Sequence, residues 1–273
     1  MRDVLVIGAT GTTGSRVAAG LAERGVPVRA ATRTPRVPGH IRFEWADTDT
    51  HRPVLKGVRA VYLIAPIGVA DPLPLVEPLL HEAVESGVRR IVLLSSSAVT
   101  DHTPGLGALP RLVRAMSPEW TVLRPSWFMN NFTGDHPVAH GVRAGEIVTA
   151  TGSGRVGFVD AEDVAAVAVR ALTDERPHNT DHLITGPQAL SYADAAAIIT
   201  DVTGRPVRHR AVDVPELLER LAAYPPQFAA ILAALDVGIA AGGEDRLTDT
   251  VARVTGRPAR DFRTFIGEEG VTG

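Results

Sequence analysis

The glycine spacing near the start of the chain constrains the fold more than any other feature. Asp3 to Ile7 (DVLVI) is an apolar, β-branched run of strand length, and Gly8-Ala-Thr-Gly11-Thr-Thr-Gly14 follows it directly. Behind the third glycine, Val17, Ala18, Leu21 and Ala22 recur at helical spacing, and Gly25 closes the segment. A strand, a glycine triplet and a helix in that order describe a phosphate-binding turn. The glycines permit a tight turn, close backbone approach to a pyrophosphate and close helix–strand packing, while the helix N-terminus offers free N–H groups and a positive dipole. Ordinary strand-to-helix turns also carry glycines, so the order of the elements is what points to a dinucleotide.

The alternation continues through the first half. Strands are expected at 27–32, 41–45, 60–65, 90–95 and 121–124, and Leu75, Val76, Leu79, Leu80, Ala83 and Val84 mark a helix between them. Strands alternating with helices require crossovers and hence a parallel sheet, an α/β fold. After about residue 130 the pattern loosens. Residues 132–145 read as a loop or short helix, and 146–150 and 155–159, joined through Thr151-Gly-Ser-Gly154, predict a hairpin. Asp163 suits the N-cap of a helix with Val164, Val167, Ala168, Ala171 and Leu172 inward. Residues 182–185 return to the sheet. Beyond Gly186 the chain reads as mainly helical, with Phe228, Ile231, Leu232, Leu235 and Ile239 as one apolar stripe. The expected organisation is a dinucleotide-binding domain over 1–185 and a smaller capping region over 186–273 packed on it.

Composition narrows the partners. The chain of 273 residues is 45% apolar, enough for a real core, and its net charge of -3 comes with no basic stripe, which argues against nucleic acid. There is no cysteine, so disulfides and thiolate chemistry are excluded. No apolar run reaches about 18 residues, and the first residues show no small-residue cleavage site, so a cytoplasmic protein without a membrane partner is expected. His178 and His182 bracket Asn-Thr-Asp without a carboxylate or cysteine cluster at ligand spacing, so no metal is expected.

The second strand ends in Arg29-Ala-Ala-Thr-Arg33-Thr34. An NAD site would place an acidic residue about 20 positions beyond the glycines to meet the ribose 2′-hydroxyl. No acidic residue lies between Glu23 and Glu44, and Arg33 stands where a guanidinium forks onto a 2′-phosphate. The expected cofactor is therefore NADP(H). Arg36 is a second candidate, and Thr32 and Thr34 add hydroxyls. The competing reading of Arg33 is a solvated side chain in an arginine-rich sequence.

Several segments together resemble a known family. They are VLVIGATGTTGSRVAAGLAERGVPVRAATR, Asp47 after the third strand, Thr121-Val-Leu-Arg-Pro125-Ser-Trp-Phe-Met-Asn-Asn131, Phe158-Val-Asp-Ala-Glu-Asp163, Leu183-Ile-Thr-Gly186-Pro, Leu190-Ser-Tyr and the stretch from Thr248 to Gly256-Arg-Pro. Over nearly the whole chain they resemble the NmrA-like atypical short-chain dehydrogenase/reductase family. The nearest branch holds ergot-alkaloid-type reductases and NAD(P)H-dependent quinone or azo reductases. The LRP, WFMNNF and FVDAED segments carry this resemblance more than the widely shared glycine motif.

The resemblance implies a Rossmann-type doubly wound parallel sheet, a nicotinamide cofactor and a substrate cleft roofed by the C-terminal part. By matching position, Gly8, Thr10, Gly11, Thr12, Thr13 and Gly14 would cradle the pyrophosphate. Arg33 would read the 2′-phosphate and Asp47 would lie near the adenine. Ala65 and Pro66 would line the adenosine ribose, and Ser95 and Ser96 would approach the nicotinamide ribose.

Most carbonyl-reducing relatives use a Tyr-x-x-x-Lys pair, and here it is missing. Tyr62, Tyr192 and Tyr224 have no lysine four residues on, and the only lysine, Lys56, precedes the fourth strand. Hydride addition to a ketone creates an alkoxide that demands a positioned acid, whereas an iminium gives a neutral amine and a quinone a stabilised phenolate. An activated acceptor is thus the economical choice, and the catalytic residues stay unassigned. Candidate weak donors are Ser96, Ser97, His102 and Tyr192; against each stands a bland role as strand-end cap, loop residue or packing group. Trp127 and Phe128 read either as core under the cap or as a flat apolar wall for an aromatic or polycyclic acceptor. Asn130 either orients a polar substrate edge or caps a turn.

The favoured expectation is an NADPH-dependent reductase acting on a small organic acceptor (quinone, iminium or enone-like), with secondary metabolism as a candidate setting. The alternative is a non-catalytic NADP-binding redox sensor. Both a monomer and a homodimer are compatible with the sequence.

Overall fold

In the computed structural model, which describes residues 3–69 and 71–270, the expected strands line up side by side in one sheet. They are β1 (Asp3–Ile7), β2 (Val28–Thr32), β3 (His40–Arg42), β4 (Val58–Ile64), β5 (Arg90–Leu94) and β6 (Glu119–Pro125), followed by the strand Thr180–Ile184. The spatial order is β3-β2-β1-β4-β5-β6 with Thr180–Ile184 at the far edge. The pairs from β3 through β6 are parallel.

Both faces of this sheet are covered, which is why its strands are unbroken apolar runs rather than alternating ones. Leu5 and Ile7 pack with Val61, Leu63, Ile91 and Leu93 against α2 (His51–Leu55), α3 (Leu73–Glu85) and α4 (Ala108–Met116). The other set of side chains, with Val4, Val6 and Tyr62, is buried beneath α1 (Thr12–Glu23) and the helix Ala161–Thr173. Val17 and Leu21 of α1 are fully buried, each contributing about 1.5–3 kcal/mol. The buried Arg90 guanidinium donates to the carbonyls of Ala171, Leu172 and Asp174, at 3.3, 3.2 and 2.7 Å. It thereby satisfies the C-terminal end of that helix from β5.

The described chain divides into two compact units, Met1–Pro125 with Ala161–Leu183, and Ser126–Asp160 with Ile184–Gly273. The sequence reading put 126–160 in the first domain. They group with the C-terminal part because their strands find partners there: Glu146–Thr149 pairs in parallel with Arg208–Ala211, and Arg155–Val156 antiparallel with Leu190–Ser191. The expected hairpin is therefore replaced by two separate pairings. A Cβ on Gly154 would lie 2.2 Å from the carbonyl oxygen of Ile239, so the Thr151–Gly154 connection serves close packing on a helix instead of a hairpin turn.

The second unit has its own core. Phe132 meets Phe158 and Phe262 edge-on at 5.0 and 4.9 Å, and Phe158 meets Tyr192 at 5.4 Å. Asp160 is buried and ion-paired with Arg260 at 2.8 Å.

Two local expectations also change. Asp163 lies inside the first turn of Ala161–Thr173, not at its N-cap, and is fully buried. In the helix Pro226–Ala240 the buried residues are Ala229, Ala233 and Ile239, while Ile231 is exposed, so the stripe is narrower than the apolar count suggests. Among the described residues, no helix is long and apolar enough to cross a membrane.

Candidate functional site

In a parallel sheet every loop that follows a strand opens at the same edge. In the first unit that edge gathers the Gly8–Gly14 turn after β1, Arg33 after β2, Asp47 beyond β3, Ala65 and Pro66 after β4, and Ser95 and Ser96 after β5. The sequence-expected cofactor residues are thus brought together. The strand order reverses between β1 and β4, the switch point at which open α/β sheets take their ligands.

The turn meets the physical requirements of a phosphate cradle. Gly8 has φ +69°, a left-handed conformation, and the Gly11 N–H donates to its carbonyl at 2.8 Å. A Cβ on Gly14 would sit 2.1 Å from the Gly8 oxygen, so α1 abuts β1 more closely than any side chain permits. Gly11, the N-cap of α1, offers no side-chain acceptor, which leaves the first-turn N–H groups to a ligand. Thr10 and Thr12 are exposed beside them. The Thr10 and Thr32 hydroxyls stand 3.4 Å apart, tying the turn to the end of β2.

Tyr62, which the sequence offered only as an acid to be ruled out, has a definite place here. Its hydroxyl donates to Thr13 Oγ1 at 3.0 Å, bracing α1 from β4. Burial pushes its pKa far up, so it remains a neutral phenol. The only sign in the sequence was a lone aromatic in an aliphatic strand.

Arg33 is exposed, and no hydrogen bond or ion pair engages it among the described residues; the same holds for Arg36. Asp47, by contrast, is held by Arg42 at 2.8 Å. The loop beyond β5 is fixed by its backbone: the Ser95 N–H donates to the Leu123 carbonyl at 2.8 Å and the Ser97 N–H to Pro125 at 2.9 Å. Ser96 Oγ accepts from the Ala98 N–H at 3.2 Å, so that hydroxyl caps its own loop.

Further along that loop, Asp101 meets Arg114 at 2.7 Å and Arg124 at 3.0 Å, and both arginines also grip Asp181, at 2.7 and 2.6 Å. The Arg114 hydrogen bond, with help from Arg124, holds the Asp101 carboxyl below its ordinary range. This ring of charges was missed, although Arg124 is the arginine of the LRP segment. His102, next to it, is exposed.

The remaining candidates belong to the second unit. The Trp127 carbonyl accepts from the Val159 N–H and the Val159 carbonyl from the Met129 N–H, both at 2.9 Å, with Phe128 bridged between them. Trp127 and Phe128 are both partly exposed, and Trp127 packs against that unit's core. The Asn130 carbonyl closes a turn with the Gly134 N–H at 3.0 Å. Tyr192 is buried in the aromatic cluster, where burial and then the Asp236 charge drive its pKa up. It therefore stays a phenol, poorly suited to acid chemistry.

Comparison with known proteins bears on the family and the fold. The model of the NmrA-like family matches residues 1–250. The chain is 45% identical over 267 residues to the uncharacterized oxidoreductase YesF of Bacillus subtilis (strain 168), covering 96% of this chain and 93% of that one. It is 35% identical over 281 residues to festuclavine synthase II of Penicillium roqueforti, covering 97% and 98%. Among solved structures, a nucleoside-diphosphate-sugar epimerase from Staphylococcus aureus shares the fold with a TM-score of 0.87 at 20% identity, covering 98% of this chain and 100% of that one.

Proposed function

The chain belongs to the NmrA-like family, and we propose that it is an NADPH-dependent reductase that delivers hydride to an activated small organic acceptor, a quinone, an iminium or an enone-like compound. The observation that carries this reading is the Gly8–Gly14 turn, whose backbone approach leaves no room for a Cβ at Gly14 and whose helix N-terminus is uncapped. The free guanidinium of Arg33 at the same sheet edge favours a 2′-phosphate over a bare ribose. Two relatives named as an oxidoreductase and a synthase in clavine chemistry support an enzyme, with secondary metabolism as a fitting context.

In this reading the first-turn N–H groups, that of Thr13 included, hold the pyrophosphate together with the exposed Thr10 and Thr12 hydroxyls, while the buried Thr13 hydroxyl stays with Tyr62. Arg33 forks onto the 2′-phosphate, and Asp47 exchanges its contact with Arg42 for the adenine. Ala65 and Pro66 pack on one ribose, while Ser95 and Ser96 meet the other. When bound, the nicotinamide supplies the hydride. Trp127, Phe128 and Asn130 are assigned to the acceptor. Among the described residues neither a tyrosine–lysine pair nor a phenol of lowered pKa is present, so in this reading rate comes from holding the acceptor in reacting geometry.

The test follows NADPH oxidation against quinones, iminium ions, enones and simple ketones. Turnover of the first three and not of unactivated ketones is the expected pattern. Tight NADPH binding with no turnover of any acceptor would replace the enzyme by a redox sensor.

A further inference from the structure

The second unit carries a cavity of about 550 Å³ that the cofactor and acceptor assignments leave unused. One of its walls is the parallel pair Glu146–Thr149 and Arg208–Ala211, in which Glu146 stands opposite Arg208 and Val148 opposite Arg210. Side chains two apart on a strand share a face, so these four lie on one side of the pair. Ile147, between Glu146 and Val148, is buried in the unit's core.

The charges on that face form a chain. Glu146 Oε1 accepts from Arg208 Nε at 3.0 Å, and Glu146 Oε2 from Arg210 Nε at 3.2 Å. Arg210 Nη1 donates to Glu216 Oε1 at 2.8 Å, and Arg220 Nε meets the same oxygen at 3.4 Å. The Arg210 hydrogen bond, then that of Arg208, holds the Glu146 carboxyl below its ordinary range, so this carboxylate of the cavity wall is already matched. Three guanidinium groups thus meet two carboxylates, which leaves one positive charge in excess. The spare donors stand at the two ends of the chain. Among the described residues no hydrogen bond engages Arg208 Nη1 or either Nη of Arg220.

Both end residues line the cavity, together with the half-buried Val148 and Val207 and with Pro206. Guanidinium N–H groups suit the oxygens of an anion, and the apolar wall suits a ligand with a body of its own. We propose that this cavity binds a small organic carboxylate, its charged end on Arg208 and Arg220 and its apolar body against Val148, Pro206 and Val207. The site goes beyond the reductase reading and does not depend on it. All of its residues belong to the second unit, whereas the expected cofactor residues belong to the first.

The probe is benzoate. Benzamide serves as its neutral counterpart of similar shape, and inorganic phosphate as an anion without an apolar body. Binding to the full chain is read by NMR shift titration at about pH 7.5, with and without saturating NADPH. Benzoate should bind at least about tenfold more tightly than either control, with shifts centred on residues 144–148 and 206–208 whether or not NADPH is present. Arg220→Gln should weaken benzoate about threefold, and Arg220→Lys should keep part of that affinity because the charge stays while the fork is lost. Arg208→Gln combined with Arg220→Gln should erase the preference over benzamide. Both side chains are exposed, and melting curves check the fold; where the double variant melts early, Arg220→Gln carries the test. Shifts confined to the first unit, displacement of benzoate by NADPH, phosphate binding as tight as benzoate, or benzoate affinity unchanged in these variants overturns the proposal.

Discussion

Replacing Gly14 by alanine tests the cradle most directly. The new methyl would meet the Gly8 oxygen at 2.1 Å and the Gly8 carbonyl carbon at 2.8 Å. Both are backbone atoms, so no side chain can swing away. Relief requires the first turn of α1 to withdraw from β1 by about an ångström. Overpacking of this kind costs about 1–3 kcal/mol, and for a protein of this size each kcal/mol lowers Tm by about 2–4 °C. The same displacement takes the first-turn N–H groups out of register with a phosphate, and the loss of one charge-assisted hydrogen bond corresponds to about 1.5–3 kcal/mol. NADPH affinity should thus fall roughly ten- to hundredfold, read by fluorescence titration alongside calorimetric melting. A variant that melts lower yet binds NADPH within twofold of wild type would show that Gly14 serves packing only. The phosphate assignment would then fail.

Arg33→Ala should erase most of an NADPH-over-NADH preference of roughly ten- to hundredfold, because a bidentate guanidinium–phosphate contact is lost; equal binding of the two cofactors by the wild type would sink the 2′-phosphate assignment. Asp236→Asn should change the pH dependence of stability. The folded carboxyl titrates near about 6, above its unfolded value of 3.8, so its cost is absent below about pH 4 and complete above about pH 6. The variant should be more stable than wild type by about 1–3 kcal/mol at pH 7.5 and indistinguishable near pH 4, and parallel denaturation curves at both pH values would contradict this. His178→Ala should cost about 1–3 kcal/mol in urea unfolding, because His178 Nδ1 is the 2.9 Å partner of the buried His182 Nε2; an unchanged midpoint would show that pair to be idle.

The sheet was legible because its strands are buried on both faces and therefore read as continuous apolar runs. Once they are placed in order, the parallel pairing decides where Gly8, Arg33, Ala65 and Ser95 must stand. Local turn chemistry misled where partners are chosen at a distance. Thr151-Gly-Ser-Gly154 has the composition of a hairpin loop, yet Glu146–Thr149 pairs with a strand some 60 residues on, and Gly154 is small to fit under Ile239. The helix Pro226–Ala240 is apolar nearly all round, so periodicity does not single out Ile231 as exposed. Tyr62 and Arg124 acquire their contacts only through non-local neighbours. No spacing within the chain announces them.

The same placements bear on the missing acid. A proton donor for ketone reduction needs a hydroxyl of lowered pKa at the carboxyl edge of the sheet, with a cation beside it. Tyr62 is fully buried, spends its hydroxyl on Thr13 and has its pKa driven the wrong way. Tyr192 sits in an aromatic core beside a carboxylate, which also raises its pKa. Tyr224 faces His140 Nδ1 at 3.1 Å in the second unit. Lys56, the only cation of the kind such a pair requires, caps α2 just before β4 and therefore lies at the amino edge of the sheet, opposite the glycine turn. Ser96 is occupied by its own loop. With the three tyrosines, Lys56 and Ser96 placed in this way, the tyrosine–lysine pair that would meet an alkoxide at this edge is absent among the described residues. That absence is what the proposed reading rests on: an acceptor that carries its own electron sink, in a quinone's ring, an enone's conjugation or an iminium's positive charge, asks for no such pair.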